Sequence, residues 1–86
     1  MKKEISVLII AHNEEKIIHE CLSLLKFADE IVIVLDNCND RTEEISKLYT
    51  KKIFSGSWEI EGERRNFGIS KCTKDWILEI DADEFV

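Results

Sequence analysis

The sequence predicts an α/β fold, a parallel sheet of about four strands with helices on both faces. Three observations carry that expectation. Two runs, Ile5–Ala11 (ISVLIIA) and Glu30–Asp36 (EIVIVLD), are almost continuously apolar and rich in β-branched residues, the pattern of strands covered on both faces. Segments with apolar residues at helical spacing alternate with such runs. The strand-like runs end in polar or acidic clusters, AHNEE, DNCND and DADE, and the carboxyl ends of parallel strands are where open sheets bind ligands.

The first run, covered on both sides, belongs in the middle of the sheet. After it Asn13 offers a side-chain oxygen as an N-cap, Glu14 and Glu15 suit the positive end of a helix dipole, and Ile17, Ile18, Cys21, Leu22, Leu24 and Leu25 recur at helical spacing. A helix is therefore expected to about Lys26. The second strand, Glu30 to Asp36, is followed by Asp40 and Glu43, an N-cap with an acidic third position, opening a helix that carries Ile45, Leu48 and Tyr49. Lys51 to Ser55 (KKIFS) is a short edge strand, where lysines are tolerated. Glu61 to Cys72 is helical despite two glycines, and Asp75 or Trp76 to Ile80 is the last strand. Strands alternating with helices imply parallel pairing with right-handed crossovers, and a Rossmann-like three-layer α/β/α arrangement of strand order 3-2-1-4.

Composition is consistent with one soluble domain: 86 residues, 44% hydrophobic and 35% charged, with no proline and three glycines. A chain of this size buries only about 60% of its unfolded surface. No linker or repeat interrupts it. The apolar stretch after Met1 is too short for a signal peptide or a membrane span, so a cytoplasmic location is expected. Cys21, Cys38 and Cys72 show no paired spacing and read as reduced thiols. A formal charge of -6 argues against nucleic acid as a partner, since that binding needs a basic surface.

In an extended segment Asp81 and Asp83 leave one face while Ala82 and Glu84 leave the other. Two carboxylates that close repel unless a cation, a proton or a network of donors compensates them, and where a cation does, oxygen ligands suit Mg²⁺ or Mn²⁺. A D-x-D stretch alone is common in surface turns. Its weight comes from the rim, where Glu14, Asp36, Asp81 and Asp83 gather at the expected carboxyl ends, most tellingly at the switch point between the first and fourth strands. Other residues have plainer readings. His12 reads as a hydrogen-bonded loop residue, His19 needs no role, and Trp58 and Trp76 read as packing residues, Trp58 also shaping the entrance to the site. No histidine is placed to activate Cys38 as a nucleophile.

The blocks SVLIIAHNEE, IVIVLDNCNDRTEEI and ERRNFGISKCTKDWILEIDADE, in order and spacing, resemble the nucleotide-binding half of family 2 glycosyltransferases of the GT-A fold. The branch that is most similar is that of bacterial lipopolysaccharide-core β-glucosyltransferases. The resemblance implies a UDP-sugar donor, a saccharide or glycolipid acceptor, inversion at the anomeric carbon, and Mn²⁺ or Mg²⁺ as cofactor. Carried across by position, it implies that Ala11, His12, Asn13 and Glu14 lie along the uridine and that Asp36 accepts a hydrogen bond from uracil. It further places Arg65 near the base and diphosphate, with Arg64 the weaker candidate, Asp81 at the ribose, and Asp83 on the metal. The full enzyme would associate peripherally with the inner face of the cytoplasmic membrane.

Two departures bear on this. Where the family has a glycine in the loop after the second strand, this chain has Asn37, Cys38, Asn39, Asp40 and Arg41. The resemblance also puts the acceptor half and the catalytic base beyond Val86, so residues 1–86 read as a donor-binding part truncated after the D-x-D, inactive alone and self-associating through an open strand edge. The rivals are a receiver-type Mg²⁺-dependent phosphoacceptor module, which would want paired acids directly after the first strand, and a non-catalytic folding or association module.

Overall fold

The computed structural model describes residues 3–81. Strands β1 (Ile5–Ala11), β2 (Glu30–Asp36), β3 (Ile53–Gly56) and β4 (Trp76–Asp81) form a parallel sheet in the order β3-β2-β1-β4. Helices α1 (Ile18–Ser23), α2 (Thr42–Ser46) and α3 (Glu61–Lys71) connect them. The expected order 3-2-1-4 is the observed one, with β1 central and β3 at an edge.

The continuous apolar runs have the cause the sequence suggested, since alternate residues of β1 and β2 serve two different cores. Val7, Ile9, Ala11, Ile33 and Leu35 pack with Ile80 of β4 against Ile18, Cys21, Leu22 and Leu25 around α1. Leu8, Ile10, Val32 and Val34 face the other way, under Phe54, Trp58, Phe67 and Cys72. None of the three cysteines forms a disulfide, and among the described residues no helix is long and apolar enough to cross a membrane.

The helices depart from the sequence reading at their ends. Asn13 is not an N-cap: it takes a left-handed φ of 51°, incompatible with the extended cap conformation, and its Oδ1 accepts from the Asn39 N–H instead. The chain turns through Glu14, whose carbonyl accepts from Ile17 and Ile18, and α1 starts only at Ile18. It stops at Ser23 and not near Lys26, leaving Leu24 exposed. Asp40 acts one position early, its Oδ1 accepting from both the N–H (2.9 Å) and the hydroxyl (2.6 Å) of Thr42, the first residue of α2. Because α2 ends at Ser46, Leu48 is 76% exposed while Ile45 and Tyr49 still pack on the core. Trp76 is likewise exposed and does not pack as expected, because it opens an edge strand.

Of the glycines in α3, Gly68 is buried where the helix meets the sheet. A Cβ there would lie 2.7 Å from Leu8 Cδ1 and 3.2 Å from Val34 Cγ2, whereas one at Gly62 would meet nothing within 4 Å. Opposite effects are expected in denaturant melts: Gly68→Ala destabilises by about 1–3 kcal/mol through overpacking, and Gly62→Ala stabilises by up to about 1 kcal/mol through helix propensity.

The amino ends of the strands are tied by a buried carboxylate that the sequence reading did not single out. Glu30, at the start of β2, accepts at Oε1 from Ser6 Oγ of β1 (2.6 Å) and the Thr73 N–H (2.8 Å), and at Oε2 from Thr73 Oγ1 (2.8 Å). Lys52, before β3, completes the set with an ion pair to Oε2. Burial alone would raise the carboxyl's pKa, but the donors from Lys52, Ser6 and Thr73 outweigh it and hold it at about 2.

Candidate functional site

The opposite end of the sheet is organised by two loops, the one after β1 (12–17) and the one after β2 (37–41). Each carries an asparagine in the left-handed region at or near its start, Asn13 (φ 51°) and Asn37 (φ 54°). Asparagine tolerates that region better than other residues with a Cβ, so Asn37 supplies here what a glycine would. Its N–H donates to the Gly56 carbonyl at the end of β3 (2.7 Å).

The loops are stitched together by side chains. His12 Nδ1 donates to the Asp36 carbonyl (2.7 Å), Cys38 Sγ donates to the Ala11 carbonyl (3.4 Å), and Cys38 Sγ also receives the Asn13 N–H (3.4 Å). The N–H groups of Glu14 and Glu15 end on Thr42 Oγ1 (2.8 Å) and Asp40 Oδ2 (3.3 Å). Burial, then the negative charges of Asp40, Asp36 and Glu14, push the Cys38 thiol's pKa up, against the pull of the Asn13 N–H. That is the reverse of what a nucleophile needs. Burial works to raise Asp40, yet the hydrogen bonds from Thr42 and Glu15 hold its carboxyl below the usual range.

Asp36 is the pivot of the rim. Buried at the end of β2, it takes the Trp58 N–H on Oδ1 (3.3 Å) and Arg64 Nη1 on Oδ2 (2.6 Å). The Trp58 ring leans on Phe67, with centroids 5.2 Å apart, and covers Gly56, where a Cβ would fall 2.5 Å from the indole. Arg64 also approaches Glu61 (3.8 Å), and its Nε is buried with no acceptor. Arg65 points elsewhere, to Glu79 of β4 (3.1 Å) and the distant edge of Glu61 (4.0 Å), with its side chain half exposed.

The structure thus brings Ala11, His12, Asn13, Glu14 and Asp36 together. It puts Arg64, ranked below Arg65 from sequence, in contact with Asp36. The signal for Arg64 was its place four residues before Gly68, on the face of α3 that meets the sheet. Thr42 and the Trp58 N–H had no such signal. The backbone of Asp81 ends β4 beside Ile10, across the β1–β4 switch point. Asp83 and Glu84 lie outside the described residues. Among the described residues, no group of three or more His, Cys, Asp or Glu is placed to hold a metal ion.

An open depression of about 460 Å³ lies at the other end of the sheet, lined by residues that include Glu30, Lys51, Lys52 and Lys74. It is not the better candidate, because ligands of open α/β sheets bind beyond the carboxyl ends, and Lys52 and Lys74 are already paired with Glu30 and Glu4.

Comparison with known proteins matches residues 6–86 to the model of glycosyl transferase family 2. An uncharacterized glycosyltransferase of Rickettsia typhi is 36% identical over 83 residues, which cover 95% of this chain and 28% of that protein. The lipopolysaccharide core biosynthesis glycosyltransferase LpsC of Rhizobium meliloti is 30% identical over 88 residues, 96% of this chain and 33% of its own. The poly(ribitol-phosphate) beta-N-acetylglucosaminyltransferase TarS of Staphylococcus aureus is 28% identical over 94% of this chain and 16% of its own. The chain spans a third or less of the length of these relatives.

Proposed function

The chain belongs to glycosyl transferase family 2, and from that premise we propose that it forms the donor side of a sugar-transfer site whose ligand is a UDP-sugar. The observation that carries this reading is the Asp36–Arg64 pair at the end of β2. A carboxylate has about four lone-pair positions and a guanidinium five N–H groups, so after pairing both still have capacity, an acceptor beside a donor. Uracil presents the complement, its N3–H beside a carbonyl oxygen. The loop from Ala11 to Glu14 runs along the uridine in this reading, Asp81 reaches the ribose, and Arg65 meets the diphosphate by leaving its pair with Glu79. The acceptor is a saccharide or glycolipid of the bacterial envelope, attacking C1 with inversion; its base lies outside this chain's assigned residues, and the full protein works at the inner face of the cytoplasmic membrane.

The oxygen donors of Asp83, with Asp81 two residues before it, suit Mn²⁺ or Mg²⁺. Such an ion, when bound, supplies charge neutralisation for the departing diphosphate. Calorimetric titration of UDP with and without Mn²⁺ tests the reading. Binding is expected to strengthen in Mn²⁺, and Asp83→Asn is expected to remove that increment while Glu84→Gln retains it. UDP binding of Asp83→Asn in Mn²⁺ equal to the parent's would refute the metal assignment, and no UDP binding by the parent would refute the donor site.

The exposed Trp76 and Ile77 sit on β4, an edge strand among the described residues, and edge strands template pairing with other chains. Self-association of residues 1–86 is expected in light scattering, and a clean monomer at high concentration contradicts it.

A further inference from the structure

We propose that Thr42 is a positioning residue for the nucleotide, acting through the backbone of the loop after β1; this rests on the donor-site reading. That loop has no sheet partner, and its own turn, in which the Glu14 carbonyl accepts from Ile17 and Ile18, does not hold its start, where Asn13 is left-handed. Its three successive N–H groups, of Asn13, Glu14 and Glu15, instead end on side chains of the segment after β2: Cys38 Sγ, Thr42 Oγ1 and Asp40 Oδ2. The shortest of the three is to Thr42.

Thr42 is fully buried, and its hydroxyl has one proton to give. That proton goes to Asp40 Oδ1 at 2.6 Å, which acts as an acceptor only. The remaining lone pairs are thereby turned to the Glu14 N–H at 2.8 Å. Ser46 Oγ in turn donates to the Thr42 carbonyl (2.7 Å), fixing the residue from behind. A buried, fully committed hydroxyl thus sets the path of an exposed loop that would otherwise need ordering when the nucleotide binds, and such ordering lowers affinity.

The test compares Thr42→Val, which keeps the shape and removes the hydroxyl, with Thr42→Ser, which keeps the hydroxyl. UDP affinity is measured by calorimetry below each variant's melting temperature, beside the hydrogen-exchange rate of the Glu14 amide. Thr42→Val is expected to lose about tenfold in affinity, the equivalent of one buried hydrogen bond, with faster Glu14 exchange. Thr42→Ser is expected to stay within about threefold of the parent on the same scale. Parent-like UDP binding by Thr42→Val overturns the proposal, and so does a loss in Thr42→Ser as large as in Thr42→Val, which would assign the effect to repacking at this buried position and not to the hydroxyl. Should Thr42→Val fail to fold, Asp40→Ala, which releases the hydroxyl and the Glu15 N–H, decides in the same way: reduced affinity supports the proposal and parent affinity overturns it. A parent that binds no UDP overturns the donor-site reading, whereas UDP binding indifferent to Thr42 overturns only this inference.

Discussion

Acidification below pH 4.5 is expected to remove about 3 kcal/mol of stability through one residue, Glu30, whose carboxyl is held at about 2 in the folded chain against an ordinary value of 4.5. The folded state resists the proton because protonation would set an O–H against Ser6, Thr73 and Lys52, which all donate to that carboxylate. Between pH 4.5 and about 2 the unfolded chain therefore carries more protons than the folded one, and stability rises with pH across that window. The contribution is complete above pH 4.5 and lost as pH falls to about 2. Against a total of about 5–15 kcal/mol for ordinary domains, a loss of this size decides whether an 86-residue chain stays folded.

Glu30→Gln isolates the effect. An amide keeps the shape but replaces one acceptor oxygen with a donor, so a buried donor from Ser6 or Thr73 loses its partner, at a cost of about 2–4 kcal/mol near neutral pH. Lys52, 46% exposed at its side chain, turns to water and adds little. Urea melts from pH 7 to pH 2 are expected to show a steep fall for the parent below pH 4.5 and a shallower one for Glu30→Gln, the two converging near pH 2. Parallel curves would mean that other carboxylates carry the acid sensitivity.

Glu30 also marks where sequence reasoning stops. A charged residue opening an apolar strand looks like a solvated end, and nothing local says that residues 6, 52 and 73 converge on it. The sheet was legible because its signal is local: ISVLIIA and EIVIVLD must be covered on both faces, and alternation with helices then leaves few topologies. The loops were not, because Asn13 had two uses for one oxygen, and the choice of Asn39 over a helix cap depends on a loop 26 residues away. Arg64 and Arg65 differ by one position, about 100° around α3, and only the burial of Gly68 tells which faces the sheet. The positions of Ala11 and Asp36 at strand ends followed directly from where the apolar runs stop.

Asp36→Asn is expected to weaken UDP binding by about a hundredfold, the scale of lost charge-assisted hydrogen bonds with a donor left unpaired. In the parent both carboxylate oxygens are acceptors, one serving the Trp58 N–H and one Arg64. In the proposed reading a spare lone pair receives uracil N3–H. Asparagine has one acceptor oxygen for these three donors, and its NH₂ must be set against Trp58, Arg64 or the base. The base itself makes the test sharper than an affinity loss. Cytosine carries an acceptor at N3 and an amino group beside it, the reverse of uracil, so a carboxylate repels its N3 while an amide N–H can donate to it. The parent should prefer UDP to CDP, and Asp36→Asn should narrow or invert that preference, an outcome that general destabilisation cannot produce. Arg64→Gln, by the same geometry, should weaken UDP binding without inverting the preference, since Asp36 is then intact. Thermal melts run beside the titrations confirm that each variant is folded at the temperature of measurement. If Asp36→Asn lowers UDP and CDP affinity by the same factor while remaining folded, Asp36 orders the rim and does not read the base, and the pairing with uracil is wrong.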